Sequence, residues 1–320
     1  MEQALAVSVG QCSDRGQKER NQDFHGVVIP AGRELTGKGV AIALADGITT
    51  SAVSHIAAET AVKVFLSDYY CTSDAWSVRT AALSVIKASN GWLYSETQAS
   101  QAAHDLDRGY VCTFSALVLR GRFAHVVHVG DSRVSRVAGD ALEPLTADHR
   151  VVLSSTERYL GRALGAAQSV EVDYARHALA PGDVFVLSTD GVHEFVDARE
   201  LVALIRANGG DLDAAAREIV RAALDNGSDD NLTVQLVRVE RLPDGDAADF
   251  AGQADALPPA ADTTRGGALG SNADSVAPGR GSFERLSNFA LASVDQCPPR
   301  RVEPFGDDVA LRNVTFAQRP

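Results

Sequence analysis

Apolar positions along the chain switch repeatedly between strand-like and helix-like spacing up to about residue 241. Residues 5–12 read as a strand, and residues 39–45 (Gly-Val-Ala-Ile-Ala-Leu-Ala) as a buried one. Between residues 51 and 69, Val53, Ile56, Ala57, Ala61, Val64 and Phe65 recur at helical spacing. A second helix is expected over about 74–103, with Trp76, Leu83, Ile86 and Leu93 on its apolar side. Ser73 or Asp74 is its expected N-cap.

A β-rich block follows. Residues 110–119 and 123–129 are separated by Arg120-Gly121-Arg122, a short glycine-containing link of hairpin type. Residues 133–138 continue the block, and Gly139-Asp140 supplies another turn. After Asp148 an irregular stretch leads to strand candidates at 169–174 and 183–188. Helices at about 198–207 and 212–224 precede a closing strand at 232–239. Helices, a group of strands, and helices again before a last strand predict an α+β fold rather than a parallel βαβ array.

From Pro243 to about Ser282 the chain turns rich in Ala, Gly, Asp and Pro and loses its periodicity. Residues 1–242 are therefore expected to form one domain, and residues 243–320 a largely disordered tail. With 45% apolar and 22% charged residues, such a domain can bury a core without staples. Cys12, Cys71, Cys112 and Cys297 are scattered and form no CxxC pair, which argues against both a disulfide scaffold and structural zinc. A net charge of −12 argues against sequence-independent nucleic-acid binding, which needs cationic surface. No apolar run is long enough to span a bilayer, and the N-terminus has no leader pattern, so a cytoplasmic location is expected.

The chemistry lies in aspartates at strand ends. The strand at 39–45 runs into Asp46-Gly47, and the one at 123–129 into Gly130-Asp131-Ser132-Arg133. Val-Phe-Val-Leu-Ser-Thr runs into Asp190-Gly191, while Asp229-Asp230-Asn231 precedes the last strand. Asp23 lies in Arg20-Asn21-Gln22-Asp23, after the first strand. Taken singly, each Asp-Gly is an ordinary turn dipeptide. Carboxylates at strand ends can, however, converge on one rim of a sheet. Adjacent glycines leave room for a cation to reach a backbone carbonyl, and hard cations such as Mg2+ favour a few carboxylates plus waters.

The ordered set resembles the type 2C protein phosphatases over residues 5–240. The matching pieces are Asn21-Gln22-Asp23, Asp46-Gly47, Gly130-Asp131-Ser132-Arg133, Leu145-Thr146-Ala147-Asp148-His149, Ser188-Thr189-Asp190-Gly191 and Asp230-Asn231-Leu232-Thr233. The resemblance implies a sandwich of two antiparallel sheets flanked by helices on both sides, and residues 1–242 as a catalytic domain hydrolysing phosphoserine and phosphothreonine proteins. It implies two ions, Mg2+ or Mn2+: Asp46 bridging both, Gly47 ligating one through its carbonyl, Asp190 and Asp230 holding one, and Asp23 acting mainly through bound water. Asp107 resembles the acid for a third, weaker ion, although the usual Gly-Thr-Thr is here Tyr110-Val111-Cys112-Thr113. A water shared by the ions would attack phosphorus in line, without a covalent phosphoenzyme. Phosphate would be held by a basic residue, for which Lys18 has the spacing and Arg20 is the neighbour. Asp131 and Arg133 are read either as part of the site or as a pair bracing it. A monomer is expected, with a protein kinase as a partner in function.

Departures from the pattern are specific. Ile48 stands where some members have a histidine able to protonate the leaving group. The stretch from Asp148 to Gly165 is shorter than the flap of most relatives. The variant Asp46-Gly47-Ile48-Thr49-Thr50-Ser51 looks most like a bacterial subgroup often fused to a protein kinase, yet residues 243–320 contain no kinase motif. His125 and His128 sit three apart on a strand, pointing to opposite faces, and so do not share a metal. His149 and His193 are expected in structural or surface roles. Two rivals stay open: a non-catalytic phosphatase-like binding module, and a hydrolase of small phosphate esters.

Overall fold

The computed structural model describes residues 4–100, 105–152, 158–245 and 314–316. Cys297 and most of the predicted tail lie outside the described residues. One sheet contains β1 (Ala6–Asp14), β12 (Leu232–Arg241), β11 (Val184–Ser188), β6 (Arg133–Ala138) and β7 (Ala141–Pro144), in that order. The other runs β10 (Asp173–Ala178), β5 (Phe123–Val129), β4 (Phe114–Arg120), β3 (Val40–Asp46), β2 (Asp23–Val28) and β13 (Val314–Phe316). Every pairing is antiparallel. A separate hairpin joins β8 (Arg150–Val152) to β9 (Arg158–Leu160).

Alternation along the strands sorts side chains into layers. On β3, Val40, Ile42 and Leu44 enter the core between the sheets, while Ala41, Ala43 and Ala45 face a core under the helices. That outer core is closed by α2 (Ser54–Cys71) and α3 (Val78–Ala99), whose Ala57, Ala58 and Ala61 allow close approach to the sheet. The other sheet turns Leu232, Val234 and Leu236 of β12 towards α5 (Ala198–Ala207) and α6 (Leu212–Asp225). Asp197 and Asp211 cap these two helices, accepting from the N–H groups of Glu200 and Ala214 respectively. The result is the expected helix–sheet–sheet–helix sandwich. Among the described residues no helix is long and apolar enough to cross a membrane.

Several expectations shift. Ser77, not Ser73 or Asp74, caps α3, its hydroxyl accepting from the Thr80 N–H. The strand expected from residue 110 begins at Phe114, because Cys112 instead bridges Gly47 and Leu164. The strand expected at 169–174 forms at Asp173–Ala178, where Asp173 pairs with His128; Val170 and Val172 pack against the helical core ahead of it. Unforeseen elements include β2, α1 (Gly32–Lys38), β7, the β8–β9 hairpin and α4 (Asp190–His193).

Candidate active site

Antiparallel pairing brings the start of β2, the end of β3, the end of β11 and the start of β12 to one end of the sandwich. Asp23 and Asp46 are direct register partners across β2 and β3. Both fall on the face between the sheets, by the alternation that sends Val27 and Leu44 there. Asp190 heads α4 immediately after β11, and Asp230 precedes β12.

Supporting side chains fix each carboxylate. Thr189 and Thr233 hydroxyls donate to Asp23 Oδ2 at 3.0 and 2.6 Å. Among the described residues, Asp23 Oδ1 is buried with no hydrogen-bond partner. The Thr113 hydroxyl accepts from the Asp46 N–H at 2.9 Å. Gln22 Nε2 donates to Ile48 O, Ser51 O and Ser54 Oγ, tying the Asp46-Gly47 loop to the start of α2. Asn231 Oδ1 accepts from the Gln22 N–H at 2.7 Å, and its Nδ2 donates to the carbonyls of Arg15 and Arg20. Two glycines are sterically required. A Cβ on Gly47 would stand 2.7 Å from the Ser54 carbonyl, and one on Gly191 would stand 2.0 Å from Asn231 O.

Mutual repulsion marks the cluster. Burial and the charge on Asp230 push Asp23 up to about 6. Asp190 rises to about 7 through burial and the charges on Asp131 and Asp230. Asp46 is raised well above the usual range by burial and by Asp23, Asp190, Asp131 and Asp230. An orphaned buried carboxylate oxygen and several carboxylates that resist ionising together fit a hard divalent cation. Among the described residues no three His, Cys, Asp or Glu side chains form a ready-made cage.

The model of the protein phosphatase 2C family matches residues 11–236, more than half of the chain. The chain belongs to the protein phosphatase 2C family. By class this makes it a serine/threonine protein phosphatase. It is 27% identical over 262 residues to protein phosphatase PhpP of Streptococcus pneumoniae, covering 74% of this chain and 97% of that one. It is similar to the solved serine/threonine phosphatase of S. agalactiae, with 26% identity and a TM-score of 0.64 over 73% of this chain and all of the other. The catalytic domain of serine threonine protein phosphatase PstP, solved in complex with two manganese ions, shares the fold at 22% identity, covering 74% of this chain and 100% of that one with a TM-score of 0.58.

In this phosphatase the two basic candidates separate. Lys18 Nζ lies 3.2 Å from Asp230 Oδ1 and faces the cluster. Arg20 instead places Nη1 on the His55 ring of α2. Asp107 is exposed on the turn Leu106–Arg108, and among the described residues no ion pair or hydrogen bond links it to the aspartates. The suggested Asp131–Arg133 pair is corrected. Arg133 makes a bidentate pair with Asp148 at 2.9 and 2.8 Å, whereas Asp131 takes Arg150 Nε–H at 2.6 Å.

The histidines serve the frame. His149 Nδ1 accepts from the Gly130 N–H, and its Nε2 meets Asp173 Oδ2 at 3.0 Å. His128 contacts Ser115 and the Ala147 carbonyl, while His125 meets Tyr174, so the two have separate partners. His193 is held neutral by burial, its pKa lowered to about 4. Gln22, Asn231 and Arg150 carry positioning roles that the motifs alone did not assign.

Proposed function

We propose that this phosphatase is metal-dependent, with Asp23, Asp46, the Gly47 carbonyl, Asp190 and Asp230 holding two ions of Mg2+ or Mn2+. Its proposed substrates are phosphoserine and phosphothreonine proteins, in functional opposition to a protein kinase. The observation that carries this reading is the group of Asp23, Asp46 and Asp190, brought together at one end of the sandwich and all raised in pKa, with Asp23 Oδ1 buried and, among the described residues, without a hydrogen-bond partner. A cation is the simplest relief for such a cluster.

When bound, such ions supply a water of lowered pKa as nucleophile and take up charge developing on the phosphoryl oxygens. The chain's own residues do the placing. Asp46 lies beside its register partner Asp23 and feels the charges of Asp190 and Asp230 from the opposite side of the cluster. Gln22 and Thr113 hold its loop in place. Lys18, at the rim beside Asp230, receives the phosphoryl group as a point charge rather than a fork. With Ile48, which carries no proton to give, two residues after Asp46, the leaving alkoxide takes its proton from water. Asp107 is proposed to serve a third, weaker ion.

The test is hydrolysis of p-nitrophenyl phosphate and of a phosphothreonine peptide, with Mn2+, Mg2+ or EDTA, by the wild type and Asp190→Ala. Metal-dependent peptide turnover that disappears with EDTA and in the variant is the expected result. Folded, metal-supplied protein that turns over neither substrate would instead mark a binding module.

A further inference from the structure

Arg150 begins β8 and reaches back over the aspartate cluster. Its Nε–H donates to Asp131 Oδ2 at 2.6 Å, its Nη2 donates to Asp190 Oδ2 at 3.0 Å, and its Nη1 pairs with Glu194. One planar fork thus covers three carboxylates, with only 15% of its side chain exposed. The backbone beside it is pinned. The His149 N–H donates to Gly130 O at 2.7 Å, and the Gly161 N–H donates to His149 O at 2.6 Å. The His149 ring is itself held by Gly130 and Asp173. Arg150 is therefore delivered to Asp190 by a braced segment.

The oxygen that Arg150 engages belongs to a carboxylate assigned above to metal binding. A guanidinium 3.0 Å from Asp190 Oδ2 and a divalent cation on the same carboxylate repel each other. We propose that Arg150 is a built-in competitor of the divalent cation at Asp190: it balances the cluster when metal is absent and must yield Asp190 when metal binds. This rests on the metal-dependent reading. Asp131 and Glu194 still tether the guanidinium after it yields, so the competition involves one contact of the three. Arg150 thereby lowers the affinity of the site for its metal.

Calorimetric titration of Mn2+ into metal-stripped full-length protein, without substrate, tests this. Arg150→Met keeps the aliphatic stem but removes the charge, and should bind Mn2+ about tenfold more tightly, the scale of one charge-assisted hydrogen bond. Arg150→Lys, which keeps a charge without the fork, should fall between. The melting temperature of Arg150→Met should lie below that of wild type in EDTA, and the gap should narrow with saturating Mn2+. Equal affinities, within about twofold by the usual scatter of such comparisons, would overturn the proposal. Weaker binding by Arg150→Met would do so too, by showing that Arg150 orders the carboxylates for metal. If Arg150→Met does not fold without metal, Arg150→Lys decides: tighter binding than wild type supports competition, and equal or weaker binding rejects it. Absence of Mn2+ binding in wild type and both variants would remove the metal-dependent reading along with this one. Binding by wild type that the variants leave unchanged would remove this inference alone.

Discussion

Asp23, on one sheet, accepts a 2.6 Å hydrogen bond from Thr233, on the other, and so a carboxylate of the cluster fastens the two layers together. Thr189 donates to the same oxygen. Thr233→Val keeps the shape and removes one of these donors. It should cost about 1–2 kcal/mol, as expected for a buried hydrogen bond to a charged group. Urea denaturation with an unchanged slope is the measurement, and a loss too small to resolve would mean that Thr189 alone satisfies Asp23.

Asp46 shows function opposing stability. Its carboxyl is disfavoured by burial and by four neighbouring aspartates. Asp46→Asn should therefore raise the stability of the metal-free protein by about 1 kcal/mol, while phosphopeptide turnover falls by at least 100-fold, roughly the size of losing a main transition-state contact. Melting in EDTA and turnover in Mn2+ measure the two halves. A variant that is both less stable and fully active would contradict the assignment.

The pH dependence follows from signs. Asp23 and Asp190 have folded pKa values of about 6 and about 7, above the ordinary 3.8. Their contribution to stability is fully present below the unfolded value and is lost as pH rises through 6 and 7. Buried His25, His128 and His193 are lowered to about 4 and act oppositely, destabilising the fold as pH falls through the unfolded value near 6.5. Between about pH 6.5 and 8 the two sets oppose each other, so the carboxylate part is isolated by comparing metal-free with Mn2+-loaded protein. The gap in melting temperature between protein in Mn2+ and protein in EDTA should widen as pH rises across that window, because the carboxylates must lose their protons to hold the ion. A gap that stays constant with pH would locate the titration elsewhere.

Much of this was legible in the chain, and the gaps have physical reasons. Phe123–Val129, Arg133–Ala138 and Ala198–Ala207 form at the expected residues, because their patterns are regular and their ends are set by turns or by the Asp197 cap. β2 was hidden: Asp-Phe-His-Gly-Val-Val is buried along nearly its whole length, so polar and apolar positions do not alternate. Asp46, Asp190 and Asp230 were visible because each follows or precedes a clear strand, whereas Asp23 heads the hidden β2 and was legible only through the motif around it. Arg150 was not, since its three partners come from two other parts of the chain and no local pattern signals such a contact.

His25 is an unusual element of the core between the sheets. It is 1% exposed, and among the described residues neither ring nitrogen has a hydrogen-bond partner. His25→Leu should stabilise the protein by about 1 kcal/mol at pH 7, by removing an unsatisfied polar group. The advantage should grow on acidification, because the native ring takes its proton only near pH 4 whereas the unfolded ring does so near 6.5. At pH 5 the added difference is about 2 kcal/mol, from roughly one and a half pKa units. Paired denaturation curves at the two pH values test this, and a difference that stays constant with pH would refute the depressed titration.

Lys18 and Arg20 give the sharpest contrast, because spacing alone left them equivalent. The structure turns Lys18 towards Asp230 at 3.2 Å and Arg20 towards His55. The loop between them is shaped by Asn231, which accepts the Gln22 N–H and donates to the Arg15 and Arg20 carbonyls. Backbone rather than side chain thus commits Arg20 to the frame. If Lys18 receives the phosphoryl group, Lys18→Ala should raise KM for a phosphothreonine peptide by about tenfold or more, the loss of one charged contact. Arg20→Ala should change KM less than about twofold, since exposed contacts contribute little. Lys18→Arg tests the point-charge role: recovery of KM would show that charge suffices, and failure would show that the compact ammonium is required. The reverse ranking, with Arg20→Ala the more damaging for KM, would reassign phosphate binding to Arg20 and require its side chain to leave His55 when substrate arrives.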